Sequence, residues 1–210
     1  RDIRNGLSMP PRMTVTNIIN ALKRPHWTLS TLINGQPSFE ILKPYMPKNL
    51  NLNQLARFMD TIFSGRLNEV KIKRIRDLWK GKLVLKGAES IHDVEKAYQL
   101  GLDGVIISNH GGRQVDVGQA TIDSLKTISP LYKNKLTVMM DSGIRGGADV
   151  ARVMAHGADF SFLGRTFMYG VSALGKKGGD HTISMLKAQL SQVMEQMSCG
   201  KVSDLRNKLV

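Results

Sequence analysis

Short apolar runs alternate with amphipathic stretches through residues 67–210. Four of the runs predict buried strands, over 82–86, 104–108, 136–140 and 160–163. Because these runs are apolar throughout, they are typical of a parallel sheet whose strands are covered by helices. Repeated right-handed βα units of this kind build either an open doubly wound sheet or a closed barrel.

The stretches between the strands have the spacing of apolar residues that predicts helices. Ser90 is a suitable N-cap for a helix that continues to about Leu100, and Gly101 is a suitable end for it. Further helices are predicted over 121–128, 147–156, 167–174 and 182–197.

Two of these βα units resemble each other in sequence. The residue types at 93–94 and 101–103 recur at a constant offset at 149–150 and 157–159, with one substitution, Leu to Ala. The second unit has a longer loop, 142–147, after its strand. Similar units separated by one intervening unit favour a quasi-symmetric (β/α) barrel over an open sheet, and the longer loop is a candidate ligand site.

Residues 1–66 are less regular and hold six of the seven prolines. Short helices are predicted over 14–23 and 51–63, with loops between them. This composition indicates connecting structure with a lid-like or partner-facing loop. The sequence therefore predicts a connecting segment, 1–66, followed by the barrel segment, 67–210.

The chain is basic, with 30 Lys+Arg against 17 Asp+Glu and a formal net charge of +13. This charge suggests an anionic partner, such as a nucleic acid, an acidic membrane surface or a phosphorylated ligand. The alternative is that the charge only keeps the protein in solution. The densest basic stretch, 66–86, carries only one aromatic residue, Trp79, and no nucleic-acid-binding motif is legible, so nucleic acid is not expected.

Other classes are excluded by what the sequence lacks. No apolar run approaches the ~18 residues of a membrane span. A lone cysteine, Cys199, cannot form an intramolecular disulfide framework, and the histidines lack partners at metal-ligand spacing, so no metal is expected. With no signal peptide visible, a reducing, cytoplasmic location is expected.

Two glycine-containing loops follow consecutive strands and predict a phosphate site. Residues 141–147 (DSGIRGG) combine three glycines with Arg145 at the start of a helix, and Gly164-Arg165 follows the next strand. Free amides at a helix start and a nearby arginine bind anions, and late βα loops of barrels are frequent phosphate sites. The alternative is two tight turns with surface arginines.

A third strand end, 108–114 (SNHGGRQ), carries His110 and Arg113. Histidine is a competent base at neutral pH, and arginine matches a carboxylate with two donors. The pair therefore suggests an acid substrate deprotonated by His110, although a purely structural turn is equally compatible. Lys86, at the end of another strand, could stabilise an anion if it faces the barrel axis.

The segment 108–114 resembles the active-site signature of the FMN-dependent 2-hydroxy acid dehydrogenases and oxidases. Further segments resemble that family in the same order: the strand with a flavin-facing lysine, two phosphate-binding units, and the segment after the fourth barrel strand. These segments are WKGKLVLKG (79–87), DSGIRGGADV (141–150), GADFSFLGR (157–165) and RDIRNGLSMPP (1–11).

The resemblance implies a (β/α)8 TIM barrel that holds FMN and oxidises a small 2-hydroxy acid. It implies that His110 is the base acting on the α-carbon or hydroxyl of the substrate and that Arg113 binds the substrate carboxylate. Lys86 would stabilise negative charge on the reduced flavin, and Asp141 would bind its ribityl chain. The cofactor-binding residues implied in this way are Lys86, Ser108, Asp141, Ser142, Gly143, Arg145, Gly164 and Arg165.

The segment RPHWTLSTLINGQP (24–37) is similar to the bacterial respiratory L-lactate dehydrogenase branch of the family. This similarity implies oxidation of L-lactate to pyruvate, with electrons passed through FMN to a respiratory acceptor. It also implies peripheral contact with the inner face of the cell membrane, which the basic surface suits. A glycolate- or mandelate-type enzyme of the same family is the alternative.

Only strands 5 to 8 of the family's barrel have counterparts in this chain, and four strands cannot close an eight-stranded barrel. The chain, which starts at Arg1 rather than Met, is therefore expected to be a fragment, one part of a split enzyme that pairs with an N-terminal half, or a half-barrel that associates with itself. A catalytically inactive scaffold and a different phosphate-binding barrel remain open. The signature also departs from the family's usual Asp-Gly ending, since Val117 follows Asp116.

Overall fold

The structure is a computed structural model that describes residues 14–35, 40–47, 50, 52–62, 66–115 and 117–208, without the side chains of 52, 53, 56, 60 and 207. The segment 1–11 and Asp116, which the family comparison above used, lie outside the described residues. The chain divides into two compact units, Arg1–Arg66 and Leu67–Val210. Each unit is described by itself.

The described part of the first unit is helical. Helix α1 spans Val15–Leu22, α2 spans Pro25–Asn34, a 3-10 helix spans Glu40–Tyr45 and α3 spans Leu52–Ile62. Helices α1 and α3 lie within the ranges predicted from the sequence. The loop expected between them was wrong, because α2 begins at Pro25, whose fixed φ and missing N–H suit the first turn of a helix.

The second unit alternates strands with helices. Its strands are β1 (Val84–Lys86), β2 (Gly104–Ile107), β3 (Thr137–Met140) and β4 (Phe160–Ser161). Its α-helices are α4 (Glu69–Leu78), α5 (Ile91–Gln99), α6 (Thr121–Tyr132), α7 (Gly147–Ala155), α8 (Arg165–Leu174) and α9 (Gly178–Gln196). Short 3-10 helices span His110–Gly112, Gly175–Lys177 and Val202–Asn207.

The four strands form one parallel sheet in the order β1-β2-β3-β4. Each strand pairs with its predecessor in the chain, so every βα unit adds its strand at the same edge of the sheet. In an open doubly wound sheet the order of the strands reverses at a switch point, whereas in a barrel the strands follow one another in chain order. The predicted half of a (β/α) barrel is therefore the observed architecture of the described strands.

One face of the sheet carries the core. The register pairs Val105 with Val138 and Ile107 with Met140, and all four side chains are buried against α5, α6 and α7. Each such side chain contributes about 1.5–3 kcal/mol of burial free energy. The opposite face is more open: Phe160, in register with Met139, is 57% exposed.

The sequence repeat corresponds to a repeated brace at the start of the strands. Asp103, before β2, accepts a hydrogen bond from the Leu83 amide at 2.9 Å. Asp159, before β4, accepts one from the Val138 amide at 2.9 Å. Hydrogen bonds from Lys82 and the Leu83 amide hold the pKa of Asp103 at about 2, below its usual 3.8. The repeated aspartates therefore fix the register of neighbouring strands.

The sequence missed helix α4 and shortened α6 and α9. Helix α4 lies in the dense basic stretch, and it is capped by Asn68, whose side chain accepts from the Lys71 amide at 3.0 Å. Helix α6 continues through Pro130, which lacks an N–H and normally interrupts a helix. Helix α9 begins at Gly178, before its apolar periodicity starts.

Candidate active site

The carboxyl ends of the strands surround a cavity of about 290 Å³. Its lining includes every site residue predicted from the sequence except Ser108. Those lining residues are Lys86, His110, Arg113, Asp141, Ser142, Gly143, Arg145, Gly164 and Arg165. Ser108 lies directly beside them, since it accepts a hydrogen bond from Lys86 Nζ at 2.7 Å. Loops from all four strand ends thus converge on one place, as parallel topology requires.

The turn after β2 presents His110 and Arg113, and both side chains are exposed. The backbone of His110 has a φ of 56°, in the left-handed region, and the two following glycines have φ of 66° and 69°. Asn109 Oδ1 accepts from the Gly112 amide at 3.2 Å and closes the turn locally. The glycines permit a tight turn, and this turn places the imidazole of His110 and the guanidinium of Arg113 at the same cavity.

Lys86, the last residue of β1, contacts the loop after β3 through its side chain. Its ammonium forms an ion pair with Asp141 in addition to its hydrogen bond to Ser108. Burial raises the pKa of Asp141, but hydrogen bonds from Lys86, Ser108 and Ser142 outweigh it, and the pKa lies below its usual value. The cavity therefore contains a fixed ammonium and an ionised carboxylate side by side.

The start of helix α7 differs from the anion site that the sequence suggested. The amides of Arg145 and Gly146 donate to Asp149 Oδ2 at 3.0 and 3.2 Å. The Gly147 amide donates to Gln189 Oε1 at 2.8 Å. All three amides already have partners, since Asp149 in the first helical turn caps two of them and Gln189 of α9 accepts from the third. The expectation of free amides at this helix start was wrong.

Two glycines of this loop, Gly143 and Gly147, have different roles. A Cβ at Gly147 would lie 2.3 Å from the Leu190 backbone nitrogen, so this glycine allows α9 to pack closely against α7. Gly143, with a φ of 79°, has no atom within 4 Å of such a Cβ, and neither has Gly164. Among the described glycines that line the cavity, Gly143 and Gly164 therefore leave open space.

Two arginines flank that open space. Arg145 lies over the ring of Tyr169, with the guanidinium carbon 5.9 Å from its centroid. Arg165 donates a hydrogen bond to the Gly111 carbonyl, and so joins the loop after β4 to the His110 turn. A neighbouring cavity of about 410 Å³ shares both arginines with the first.

This donor set fits a phosphorylated cofactor. Arg145 and Arg165 supply positive charge, and within the described residues the amides of Gly143 and Gly164 have no recorded acceptor. Open backbone with unpaired amides beside arginines is what a phosphate group requires. Lys86, which is paired with Asp141, adds an ammonium group at the strand ends.

Sequence reasoning missed the apolar wall of the cavity. Ile144, Phe162, Leu163 and Met168 line it together with the polar residues. Phe162 and Leu163 directly follow β4, so their place at a strand end was the signal available in the sequence. These side chains provide the apolar surface that a cofactor ring or a substrate side chain contacts.

Two further properties concern the described residues only. They contain no cluster of three or more His, Cys, Asp or Glu side chains arranged to hold a metal ion. Among the helices of the described ranges, none combines the length and the apolar character needed to cross a membrane.

The whole chain, residues 1–210, matches the family model of the FMN-dependent dehydrogenases. The chain therefore belongs to this family of flavin enzymes, in agreement with the resemblance found in its sequence.

Among curated relatives, an L-lactate dehydrogenase of Bartonella quintana (strain Toulouse) is 33% identical over 209 residues, which is 99% of this chain and 54% of that protein. An L-lactate dehydrogenase of Alcaligenes faecalis is 30% identical over 100% of the chain and 55% of that protein. The chain thus spans about half the length of the curated relatives it matches.

Solved structures give the same picture. The monotopic membrane protein (S)-mandelate dehydrogenase is 30% identical and superimposes with a TM-score of 0.88 over 100% of this chain and 55% of its own. A flavocytochrome b2 variant with bound sulfite is 33% identical, with a TM-score of 0.64 over 70% of this chain and 41% of its own. The half-barrel of this chain therefore corresponds to part of a larger flavin-binding fold.

Proposed function

We propose that this chain forms part of an FMN-dependent enzyme that oxidises a small L-2-hydroxy acid. The observation that carries the proposal is the single cavity lined by His110, Arg113 and Lys86 together with Arg145 and Arg165. This cavity combines a base, a carboxylate-binding group and a phosphate-binding group at one end of a parallel sheet.

Arg145, Arg165 and the amides of Gly143 and Gly164 hold the cofactor phosphate in this proposal. Asp141, an ionised carboxylate whose pKa lies below its usual value, accepts hydrogen bonds from the ribityl hydroxyls. Ser108 and the backbone of Ser142 and Gly143 complete the contacts of the cofactor. When bound, FMN supplies the acceptor for the two electrons that leave the substrate.

Arg113 binds the substrate carboxylate with two parallel hydrogen bonds and so orients the carbon that bears the hydroxyl. His110 accepts the proton that leaves the substrate during oxidation. Lys86 provides positive charge where negative charge develops at the strand ends. The left-handed backbone of His110 supports this role, because strained residues concentrate at functional sites.

L-lactate is the substrate and a respiratory chain component the electron acceptor in the finer form of the proposal. The support for this form is the similarity to two L-lactate dehydrogenases at 30–33% identity. A mandelate- or glycolate-type substrate is the second candidate, which the likeness to (S)-mandelate dehydrogenase favours.

The proposal is tested with the full-length enzyme and a panel of 2-hydroxy acids. His110→Gln removes the base, so we expect kcat/KM to fall by about 10²–10⁴-fold while bound flavin is retained. His92→Gln, at an exposed site on α5, is the matched control, and its kcat/KM should equal that of the wild type.

Turnover that survives in His110→Gln would contradict the role of His110. A colourless full-length protein that binds a sugar phosphate would favour a different barrel enzyme. A protein that oxidises no 2-hydroxy acid and binds no flavin would favour a catalytically inactive half-barrel or scaffold.

The assembly partner in this proposal is a further half-barrel, because four strands cannot close an eight-stranded barrel. It is supplied by the N-terminal half of the enzyme or by a second copy of the chain. Size measurement of the purified chain, alone and with an added N-terminal half, distinguishes the two sources.

Peripheral attachment to the inner face of the cell membrane is the proposed location. Helices α1 and α2 support it, because Val15, Leu22, Leu32 and Ile33 are each at least 70% exposed and 15–34 contains no acidic residue. Exposed apolar side chains beside basic ones bind anionic bilayers. Replacing Leu32 and Ile33 by serine should reduce sedimentation with phosphatidylglycerol vesicles and leave turnover unchanged; unchanged sedimentation would contradict this location.

A further inference from the structure

The turn that carries His110 is held in a strained conformation by hydrogen bonds to its amides. Residues 110–112 all have positive φ, a region that a histidine rarely adopts. Their three amides donate in turn to side-chain oxygens of Ser108, Ser142 and Asn109 at 3.2, 3.0 and 3.2 Å. Strained backbone of this kind persists where its surroundings hold it in several ways.

Ser142 differs from the other two acceptors because it comes from another strand end. Ser108 and Asn109 precede the turn directly, whereas Ser142 follows β3. Its hydroxyl accepts from the Gly111 amide and donates to Asp141 Oδ1 at 2.7 Å. Since Asp141 also pairs with Lys86, this hydroxyl joins the Lys86–Asp141 ion pair to the turn of His110.

The backbone of Ser142 is itself strained, with a φ of 76°. Glycine adopts this conformation without a steric penalty, as the neighbouring Gly143 does with a φ of 79°. A serine at this position therefore has a conformational cost that its hydroxyl must offset. The two hydrogen bonds of that hydroxyl are the only contribution of the side chain recorded among the described residues.

We propose that Ser142 is a positioning residue for His110: its hydroxyl holds the Gly111 amide and thereby fixes the imidazole relative to the Lys86–Asp141 pair. The inference rests on the proposed function for the role of His110. It goes beyond that function because it assigns to the Ser142 hydroxyl a task other than contact with the cofactor.

The test compares two variants of the full-length, flavin-loaded enzyme. Ser142→Ala removes the hydroxyl and keeps the strained backbone, whereas Ser142→Gly removes both. We expect kcat to fall about tenfold or more in both variants, because small displacements of a reacting group are costly, with KM and flavin content close to wild type. We also expect Ser142→Gly to be at least as thermally stable as wild type.

Ser129→Ala provides a matched control. The Ser129 hydroxyl donates to the Gly157 carbonyl at 3.0 Å, at the opposite end of the strands. The Ser129→Ala substitution should lower thermal stability and leave kcat unchanged. This result separates the loss of a structural hydroxyl from the loss of positioning.

Hydrogen–deuterium exchange gives a readout that does not depend on turnover. The peptide that contains Gly111 should exchange at least tenfold faster in both Ser142 variants than in wild type, because its amide loses an acceptor. If wild-type enzyme oxidised no 2-hydroxy acid, the proposed function would fail, and the exchange result would still test the contact. Wild-type kcat and exchange in Ser142→Gly would overturn the inference, as would loss of flavin, which would make the Ser142 hydroxyl a cofactor ligand.

Discussion

The two ends of the parallel sheet are built for different tasks. At the starts of the strands, Asp103 and Asp159 each brace the amide of a neighbouring strand through the same hydrogen bond. At the carboxyl ends, the equivalent loops differ in length and sequence, and the backbones of His110 and Ser142 adopt strained conformations. The repeat is kept where it stabilises the sheet and is lost where side chains converge on the cavity, as expected for barrels.

Among the substitutions that compare the two ends of the sheet, Arg113→Met should have the largest effect. It removes a charge-assisted pair of hydrogen bonds to the substrate, so we expect kcat/KM to fall about ten- to hundredfold, mainly through KM. Thermal stability should stay close to wild type, because Arg113 is exposed. Steady-state kinetics check the prediction, with Arg74→Met on the surface of α4 as the control. An unchanged KM would place the carboxylate elsewhere.

Gly147→Ala and Gly143→Ala separate packing from binding within one loop. The added methyl group at Gly147 meets the backbone of α9 at 2.3 Å, so it should cost about 1–3 kcal/mol in the free energy of unfolding. At Gly143 the space is open, and the smaller penalty comes from the positive φ. Gly143→Ala should instead weaken FMN binding. Denaturant unfolding measures the stability of each variant, and flavin titration measures its affinity for FMN. Equal losses of stability in the two variants would contradict the separate roles of Gly147 and Gly143.

Asp103→Asn should have the smallest effect and should depend on pH. The folded pKa of Asp103, about 2, lies below its usual 3.8. Its stabilisation is therefore fully present above about pH 4 and is lost as the pH falls towards 2. The variant should be less stable than wild type at pH 7, and the difference should shrink in acid, with kcat unaffected. A difference that is constant between pH 7 and pH 2.5 would argue against the brace.

The sequence predicted the sheet and the place of the cavity well, for identifiable reasons. Fully apolar runs such as 104–108 mark buried parallel strands, and parallel topology brings all strand ends together. The residues after those runs, including His110 and Arg165, could therefore be assigned to one cavity without coordinates. The role of each one towards FMN stays a prediction.

Other features depend on contacts that a single sequence does not reveal. Gly147 looked like part of an anion-binding loop, but its task is set by Leu190, which lies far along the chain. The sequence marked Asp149 only as part of the repeat, but its side chain accepts from the amides of Arg145 and Gly146. Helix α2 was missed because Pro25 was taken as a loop signal rather than as a first helical residue.

The most direct test of the account is a crystal structure of the full-length enzyme with FMN and an unreactive 2-hydroxy acid analogue. We expect Arg145 and Arg165 to bind the phosphate, Arg113 to bind the carboxylate of the analogue, and the ring of His110 to face the hydroxyl-bearing carbon of the analogue. A phosphate bound away from both arginines, or a His110 ring turned out of the cavity, would contradict it.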